Sequence, residues 1–283
     1  MSTIASPRTV ESPRTDESPR TVESPLRIGP AKATRHGLSL AWRGIIKLRK
    51  SPAQLVDVIL TPIVFLLMFV YLFGGAIGGG DVDGYLQTIT PGIMVMTIFQ
   101  ASIVVGVSLN ADAGTGVFDR FRSMPIARSA PLVGAVLADV VRYLVCLTVL
   151  LVVATVMGYR VETNPAAALA AIALLIAFGL SFCWMSVYVG MLAKTPGSVQ
   201  GLMTVLVIPL TFASDVFVPS GTMPGWLQAW SDVNPVSLMA NTLRGLMNGG
   251  EVAGPLLGSL AWMAGVVAVF FPLAMRAYRK RAA

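Results

Sequence analysis

The sequence predicts an all-α, polytopic membrane protein, and two observations carry that prediction. Of the 283 residues, 55% are hydrophobic and only 12% are charged, and the mean hydropathy is +0.73. Six stretches are long and apolar enough to cross about 30 Å of hydrocarbon, each needing roughly 20 residues at a rise of about 1.5 Å. Such a surplus of apolar side chains is typical of chains that face lipid.

The N-terminal region is repetitive and polar. A six-residue unit of the form Ser-Pro-Arg-Thr-Val-Glu recurs between Ser6 and Glu23. Proline in every unit breaks helices and alternating charges keep the segment solvated, so residues 1–31 are predicted to be a disordered tail. Phosphorylation of the Ser-Pro sites, or docking of a partner there, is the alternative interpretation.

Residues 32–53 predict an amphipathic helix that lies in the membrane interface. Arg35, Arg43 and Lys47 fall on one helical face, and Leu38 and Trp42 fall on the other. Tryptophan at headgroup depth and cations beside anionic lipid are the usual composition of such helices.

Residues 54–283 form the predicted transmembrane domain. The six spans are expected at residues 55–75, 89–109, 132–157, 166–193, 199–218 and 256–275. Pro62, Pro209 and Pro272 lie inside spans and predict kinks.

The distribution of Lys and Arg predicts the orientation. Ten precede the first span, three lie between the second and third, one lies between the fourth and fifth, and four follow the sixth. The opposite loops hold only Arg160 and Arg244. Both termini are therefore expected on the cytoplasmic side of the membrane. The net charge of +7 does not indicate a nucleic-acid binder, because the cations share no folded face.

The loop between the second and third spans carries aromatic and charged side chains after two glycines. A short helix that inserts into a groove of a soluble partner and a plain basic loop are equally compatible with this spacing. The candidate contact residues are Phe118, Asp119, Arg120, Phe121, Arg122, Met124 and Pro125.

The segment between the fifth and sixth spans is too apolar for a simple loop and its helical pattern is too short to span. It is expected to lie in the outer interface or to re-enter the membrane part way. The motif residues are Phe217, Pro219, Met223, Pro224, Trp226, Asn234, Pro235 and Arg244.

Ionisable residues inside apolar spans are costly and therefore informative. Asp139 and Arg142 are three residues apart on one helix face and are expected to pair with each other rather than to bind a substrate. Asp215 lies near the outer end of the fifth span. If the cargo is a cationic amphiphile, the candidate cavity residues are Phe99, Met203, Phe212 and Asp215.

From Arg35 onward the chain resembles the ABC-2 family of ATP-binding-cassette transporter permeases. The resemblance rests on the loop from Gly116 to Ser129 and on the outer motif residues. Within the family it is greatest to the membrane subunit of daunorubicin and doxorubicin resistance exporters, which implies efflux of amphipathic drugs or antibiotics such as anthracyclines.

The resemblance also implies an assembly. Residues 116–125 would be the coupling helix that docks on an ATPase, and residues 217–246 would form short extracellular helices closing the outer side. Two copies of the chain would work as a homodimer with two cytoplasmic ATPase subunits.

The sequence contains no machinery for hydrolysing ATP. It has no phosphate-binding loop, no His-Glu-x-x-His zinc motif and a single histidine, so the chain is predicted to be no enzyme and to bind no cofactor or metal. ATP and Mg²⁺ would be held by the partner ATPase. Two alternatives remain: export of a lipid or cell-envelope precursor, and a passive channel or membrane scaffold without an ATPase.

Overall fold

The computed structural model describes residues 52–114 and 130–281, and every regular element among them is helical. The predicted tail, the interfacial helix up to residue 51 and the loop of residues 115–129 lie outside the described residues. The all-α prediction is confirmed for the described part of the chain.

The first span is one nearly continuous helix. α1 (Pro52–Met68) runs through a π-helical turn (Phe69–Phe73) into α2 (Gly74–Ile77). Gly79 and Gly80 have positive φ angles of 62° and 97°, a conformation that glycine adopts without strain, and they reverse the chain. Asp81 then caps the next helix, because its Oδ1 accepts the Gly84 amide at 2.9 Å.

The second span lies at the centre of the fold. α3 (Val82–Ala101) and α4 (Ile103–Gly114) together form a 33-residue apolar helix with an interruption at Ser102. Fourteen residues of α3 are buried, and α3 contacts α1 and three later helices, Ala130–Met157, Pro165–Leu192 and Pro235–Asn248. Helices of such uniform burial form the interior of a bundle.

Three further long helices surround this centre. They are α5 (Ala130–Met157), α6 (Pro165–Leu192) and, at the end of the chain, α10 (Ala253–Arg281). The start of α6 follows common capping chemistry, since Pro165 occupies its first turn and Asn164 Oδ1 accepts the Ala167 amide at 2.7 Å.

Five helices among the described residues are long and apolar enough to cross a membrane. The predicted fifth span at residues 199–218 is instead α7 (Pro196–Phe212), a helix of 17 residues. It ends early because the Asn234 side chain donates to the carbonyls of Leu210 and Ala213, at 2.8 and 3.2 Å, and so satisfies groups that a longer helix would pair internally.

Between α7 and α10 the chain forms a short 3₁₀ turn (Ser220–Thr222), α8 (Gly225–Val233) and α9 (Pro235–Asn248). α9 packs against α3, α6 and α10. Its apolar side is fully buried through Val236, Met239, Ala240, Leu243 and Met247. This segment is therefore packed onto the helix bundle through one side of α9.

α4 and α6 approach each other closely through small residues. A Cβ atom added to Gly190 would lie 2.5 Å from the carbonyl oxygen of Gly106, and a Cβ on Gly106 would clash with Ser186. Small residues that let two backbones meet are a common means of packing membrane helices.

Gly190→Ala is expected to lower the free energy of unfolding by about 1–3 kcal/mol, because the added Cβ would meet the backbone of Gly106 rather than a flexible side chain. Gly201→Ala in α7 is the matched control, since a Cβ there meets nothing within 4 Å. Helix propensity alone predicts a gain of up to about 1 kcal/mol for the control. Thermal unfolding in detergent measures both, and equal stability of the two variants would contradict the close approach.

Candidate functional site

The predicted contact loop with a soluble partner lies outside the described residues. Its members Phe118, Asp119, Arg120, Phe121, Arg122, Met124 and Pro125 fall between the end of α4 at Gly114 and the start of α5 at Ala130. The site that can be described in atomic detail is therefore the outer segment, residues 213–248.

The corner at Asn234 joins three pieces of this segment. Asn234 Oδ1 accepts the Val236 amide at 2.9 Å and so caps α9, whose first residue is Pro235. Its Nδ2 holds the end of α7 through the carbonyls of Leu210 and Ala213. A single buried amide thus fixes where α7 ends and where α9 begins.

Arg244 is the most connected side chain of the outer segment. From α9, its Nε donates to the Thr88 carbonyl of α3 at 3.0 Å. Its Nη2 donates to the carbonyls of Asp215 and Val216, at 2.9 and 3.3 Å. Its Nη1 donates to the Asp215 carboxylate at 3.2 Å and to Asn241 Oδ1 at 2.9 Å. The planar fork of five donors lets one side chain tie a loop to two helices.

Asp215 is the anionic partner in this cluster. The residue is 7% exposed, and its Oδ2 accepts from both Arg244 and Asn241, the latter at 2.7 Å. Its backbone amide donates to Ser237 Oγ at 3.1 Å, whereas its Oδ1 has no hydrogen-bond partner among the described residues. Burial lowers the pKa of the Arg244 guanidinium, and the neighbouring Asp215 carboxylate opposes that shift.

Phe217 closes the loop on its apolar side. Its ring stacks on Phe69 with centroids 4.3 Å apart and on Phe212 with centroids 5.1 Å apart. Its carbonyl accepts the hydroxyl of Tyr85, from α3, at 3.0 Å. Loop 213–219 is thus held to the first and second spans as well as to α9. We call this arrangement, centred on Arg244, Asp215, Asn241, Tyr85 and Phe217, the outer clamp.

A cavity of about 310 Å³ lies beside the outer clamp. Its charged lining residues are Asp81, Asp215 and Arg244, which together carry one net negative charge at neutral pH. Thr88, Phe217 and Pro219 complete a mixed polar and apolar wall. A recess of this composition suits a small group that donates hydrogen bonds or carries a positive charge.

The remaining motif residues form the outer edge. Pro219 and Met223 flank the 3₁₀ turn, and Pro224 precedes α8 as its N-cap. Trp226 is 75% exposed on α8, and the end of this helix is fixed by Trp262 of α10, whose Nε1 donates to the Val233 carbonyl at 2.8 Å. Prolines at these boundaries pre-set φ where a helix begins.

The four candidate cavity residues lie in different surroundings within one copy of the chain. Phe99 is fully buried against Phe182 with ring centroids 4.9 Å apart, and Met203 is also buried in the core. Phe212 is 52% exposed beside the outer clamp, and Asp215 alone lines the cavity described above. The helical pattern could not assign these faces, because it does not say which neighbour each face meets.

The predicted pair within the third long helix is confirmed. Arg142 Nη2 lies 2.5 Å from Asp139 Oδ1, and both side chains are buried. Sequence reasoning did not identify Tyr85, Thr88 or Asn241 as parts of a site. No motif marks Tyr85, and Asn241 lies between the motif residues Pro235 and Arg244 without belonging to the motif. Thr88 contributes only its main-chain carbonyl to the clamp.

Within residues 52–114 and 130–281 no group of three or more His, Cys, Asp or Glu side chains is placed to hold a metal ion. Both cysteines, Cys146 and Cys183, are buried free thiols. The outer clamp is an arrangement of hydrogen bonds, one ion pair and stacked rings, and it is suited to holding a conformation and a ligand.

Comparison with known proteins gives a consistent result. Residues 36–248 match the model of the ABC-2 type transporter family. The chain is 40% identical over 254 residues to a daunorubicin resistance ABC transporter permease protein, DrrB1, of Streptomyces coeruleorubidus, and the match covers 89% of each chain. It is 28% identical over 226 residues to a probable doxorubicin resistance ABC transporter permease protein, DrrC, of Mycobacterium tuberculosis, covering 80% of this chain and 81% of the relative.

A more distant relative is a putative transport permease, ycf38, of Cyanophora paradoxa, 26% identical over 209 residues, which are 72% of this chain and 71% of the relative. The family match spans most of the chain, including α1 to α9 and the outer clamp. This chain belongs to the ABC-2 type transporter family.

Proposed function

We propose that this protein is the membrane-spanning permease subunit of an ATP-driven exporter that effluxes amphipathic drugs or antibiotics of the anthracycline type. The observation that carries the proposal is the 40% identity, over nearly the whole of both chains, to a protein named a daunorubicin resistance permease. The lack of a phosphate-binding loop in the sequence supports hydrolysis of ATP, with Mg²⁺, by a separate subunit.

In this proposal the chain crosses the plasma membrane six times. Five spans are long enough by themselves, and α7, with 17 residues, reaches about 26 Å at a rise of about 1.5 Å per residue. That length falls within the range of about 17 to 25 residues for membrane helices. The distribution of Lys and Arg supports cytoplasmic termini, and it puts α8, α9 and the outer clamp on the external side.

Energy enters this exporter at the cytoplasmic loop of residues 116–125. Two copies of the chain form a homodimer, and each loop docks on one of two ATPase subunits. Phe118 and Phe121 supply apolar anchors, and Arg120 and Arg122 supply charge, which are the residue types that dominate binding at small interfaces.

The outer clamp is the external gate in this proposal. It joins loop 213–219 to α3 and α9. When the gate opens, the hydrogen bonds of Arg244 and the stacking of Phe217 on Phe69 break, and these groups take other partners. The cavity beside it, with one net negative charge, receives the cationic group of the cargo on its way out.

The first test is affinity purification of the protein from its native membrane in mild detergent, followed by mass spectrometry. We expect a soluble subunit that carries a phosphate-binding loop to copurify. Recovery of no such subunit in several detergents would favour a passive channel or scaffold. Accumulation of a native lipid in a deletion strain, with drug efflux unchanged, would instead favour export of an envelope precursor.

Phe121→Ala, or Arg120→Glu with Arg122→Glu, is expected to leave the protein inserted but to lower drug export at least about fivefold, because ATP hydrolysis no longer moves the permease. The measurement is efflux of a fluorescent amphiphile from cells at matched membrane abundance. Arg160→Glu, the same type of substitution at one position of the opposite loop, is the control and keeps normal export. Normal export by the loop variants would refute the coupling role.

Asp215→Asn is expected to lower export of a cationic amphiphile about tenfold relative to a neutral analogue, because a hydrogen-bonded charge contributes about 1.5–3 kcal/mol. The ratio of the two export rates is the measurement, since a general loss of the gate changes both rates together. Asp232→Asn, on the exposed side of α8, is the matched control. An unchanged ratio would remove Asp215 from the cargo path.

A further inference from the structure

The central helix of the fold is interrupted at Ser102, between α3 and α4. The residue is neither glycine nor proline, and it is fully buried. Helices within membranes are interrupted where other groups take over their backbone hydrogen bonds. At this turn the bonding groups are the Ser102 hydroxyl and side chains of other helices.

Two of these partners are side chains of other helices. Arg142 of α5 donates through Nη2 to the Ala101 carbonyl at 2.9 Å. Ser186 of α6 donates to the Ile103 carbonyl at 2.8 Å and accepts the Gly106 amide at 3.2 Å. The Ser102 hydroxyl itself donates to the Phe99 carbonyl at 2.6 Å. The interruption is thus held by α5 on one side and by α6 on the other.

The two halves of the interrupted helix have different neighbours. α4 is fixed to the end of α6, because Asn110 Nδ2 donates to the carbonyls of Gly190 and Ala193, both at 2.8 Å. α3 belongs to the outer half, where its Thr88 carbonyl and its Tyr85 hydroxyl join the outer clamp. Segment α4 also leads directly into residues 115–129, the loop that contains the proposed ATPase contact.

Arg142 holds its position through Asp139, and neither side chain uses all its bonding capacity. Asp139 Oδ2 and Arg142 Nε have no hydrogen-bond partner among the described residues, and neither does the hydroxyl of the adjacent Tyr143. Buried groups with unused capacity favour a second arrangement in which they are paired differently. A shift of α4 relative to α3 would supply new carbonyls to this cluster.

We propose that Arg142, oriented by Asp139, and Ser186 are positioning residues that set the angle between α4 and α3 and thereby transmit movement of the cytoplasmic loop to the outer clamp. This inference rests on the proposed function, because it assigns the device to ATP-driven transport. α4 and the end of α6 move as one unit about Ser102. The hydrogen bond from Arg142 to Ala101 is made in one position of that unit and exchanged in the other.

The test measures drug transported per ATP hydrolysed, with the permease and its ATPase in vesicles. The double variant Asp139→Asn with Arg142→Gln removes both charges together, so no buried charge is left alone. It is expected to bind the ATPase and to hydrolyse ATP, with transport per ATP reduced about fivefold or more. A merely structural role would lower the amount of folded protein and leave this ratio unchanged.

Ser186→Ala and Ser181→Ala form a matched pair on α6. Ser181 Oγ donates to its own helix, at the Ala177 carbonyl, whereas Ser186 Oγ bonds across to α4. We expect transport per ATP to fall with Ser186→Ala and to stay at the unmodified value with Ser181→Ala. The inference would be overturned if transport per ATP in both serine variants and in the double variant equalled that of the unmodified protein. If the unmodified protein showed no ATP-dependent transport at all, the proposed function would be overturned instead.

Discussion

The structure depends on one constraint, that backbone amides and carbonyls inside a bilayer find partners within the protein. Among the described residues, the turn at Ser102 and the loop of residues 213–219 both leave regular helix. In both places, side chains distant in the sequence donate hydrogen bonds to the main-chain carbonyls. Arg142 and Ser186 do so at the Ser102 turn, and Asn234 and Arg244 do so at the loop and the adjoining end of α7. Many of the buried polar residues of the fold are placed where the backbone is irregular.

Both arginines bond main-chain carbonyls as well as a carboxylate, and this gives each buried ion pair a structural role. Exchange of a buried pair for apolar residues is often neutral or stabilising, so the charge attraction alone is a weak reason for its presence. A guanidinium, however, carries five donors in a fixed plane and can bond a carboxylate and carbonyls at once. The carboxylates of Asp139 and Asp215 compensate the charges of Arg142 and Arg244, and these two arginines bond the backbone where it leaves regular helix.

Hydropathy predicted where the long helices lie, although the second runs seven residues further at its start, from Val82 rather than residue 89. Apolar length is a property of local sequence. The expected span at residues 166–193 corresponds to Pro165–Leu192. The pairing of Asp139 with Arg142 was also predictable, since residues three apart share a helix face. The early end of α7 and the turn at Ser102 were not, because the causes, Asn234 and Ser186, lie 22 and 84 positions away in the chain. A separation of 29 positions likewise hid the pairing of Arg244 with Asp215.

The position of α3 connects these two irregular sites. Its Thr88 carbonyl accepts from Arg244 at the outer end, and its Ala101 carbonyl accepts from Arg142 at the other. Thirteen residues of helix separate them, about 20 Å at a rise of about 1.5 Å per residue. α3 is buried along most of this length, with Pro91 inside it, so its neighbours restrain the sideways movement of the helix. A change in the bonds of Arg142 would therefore reach those of Arg244 along a single helix.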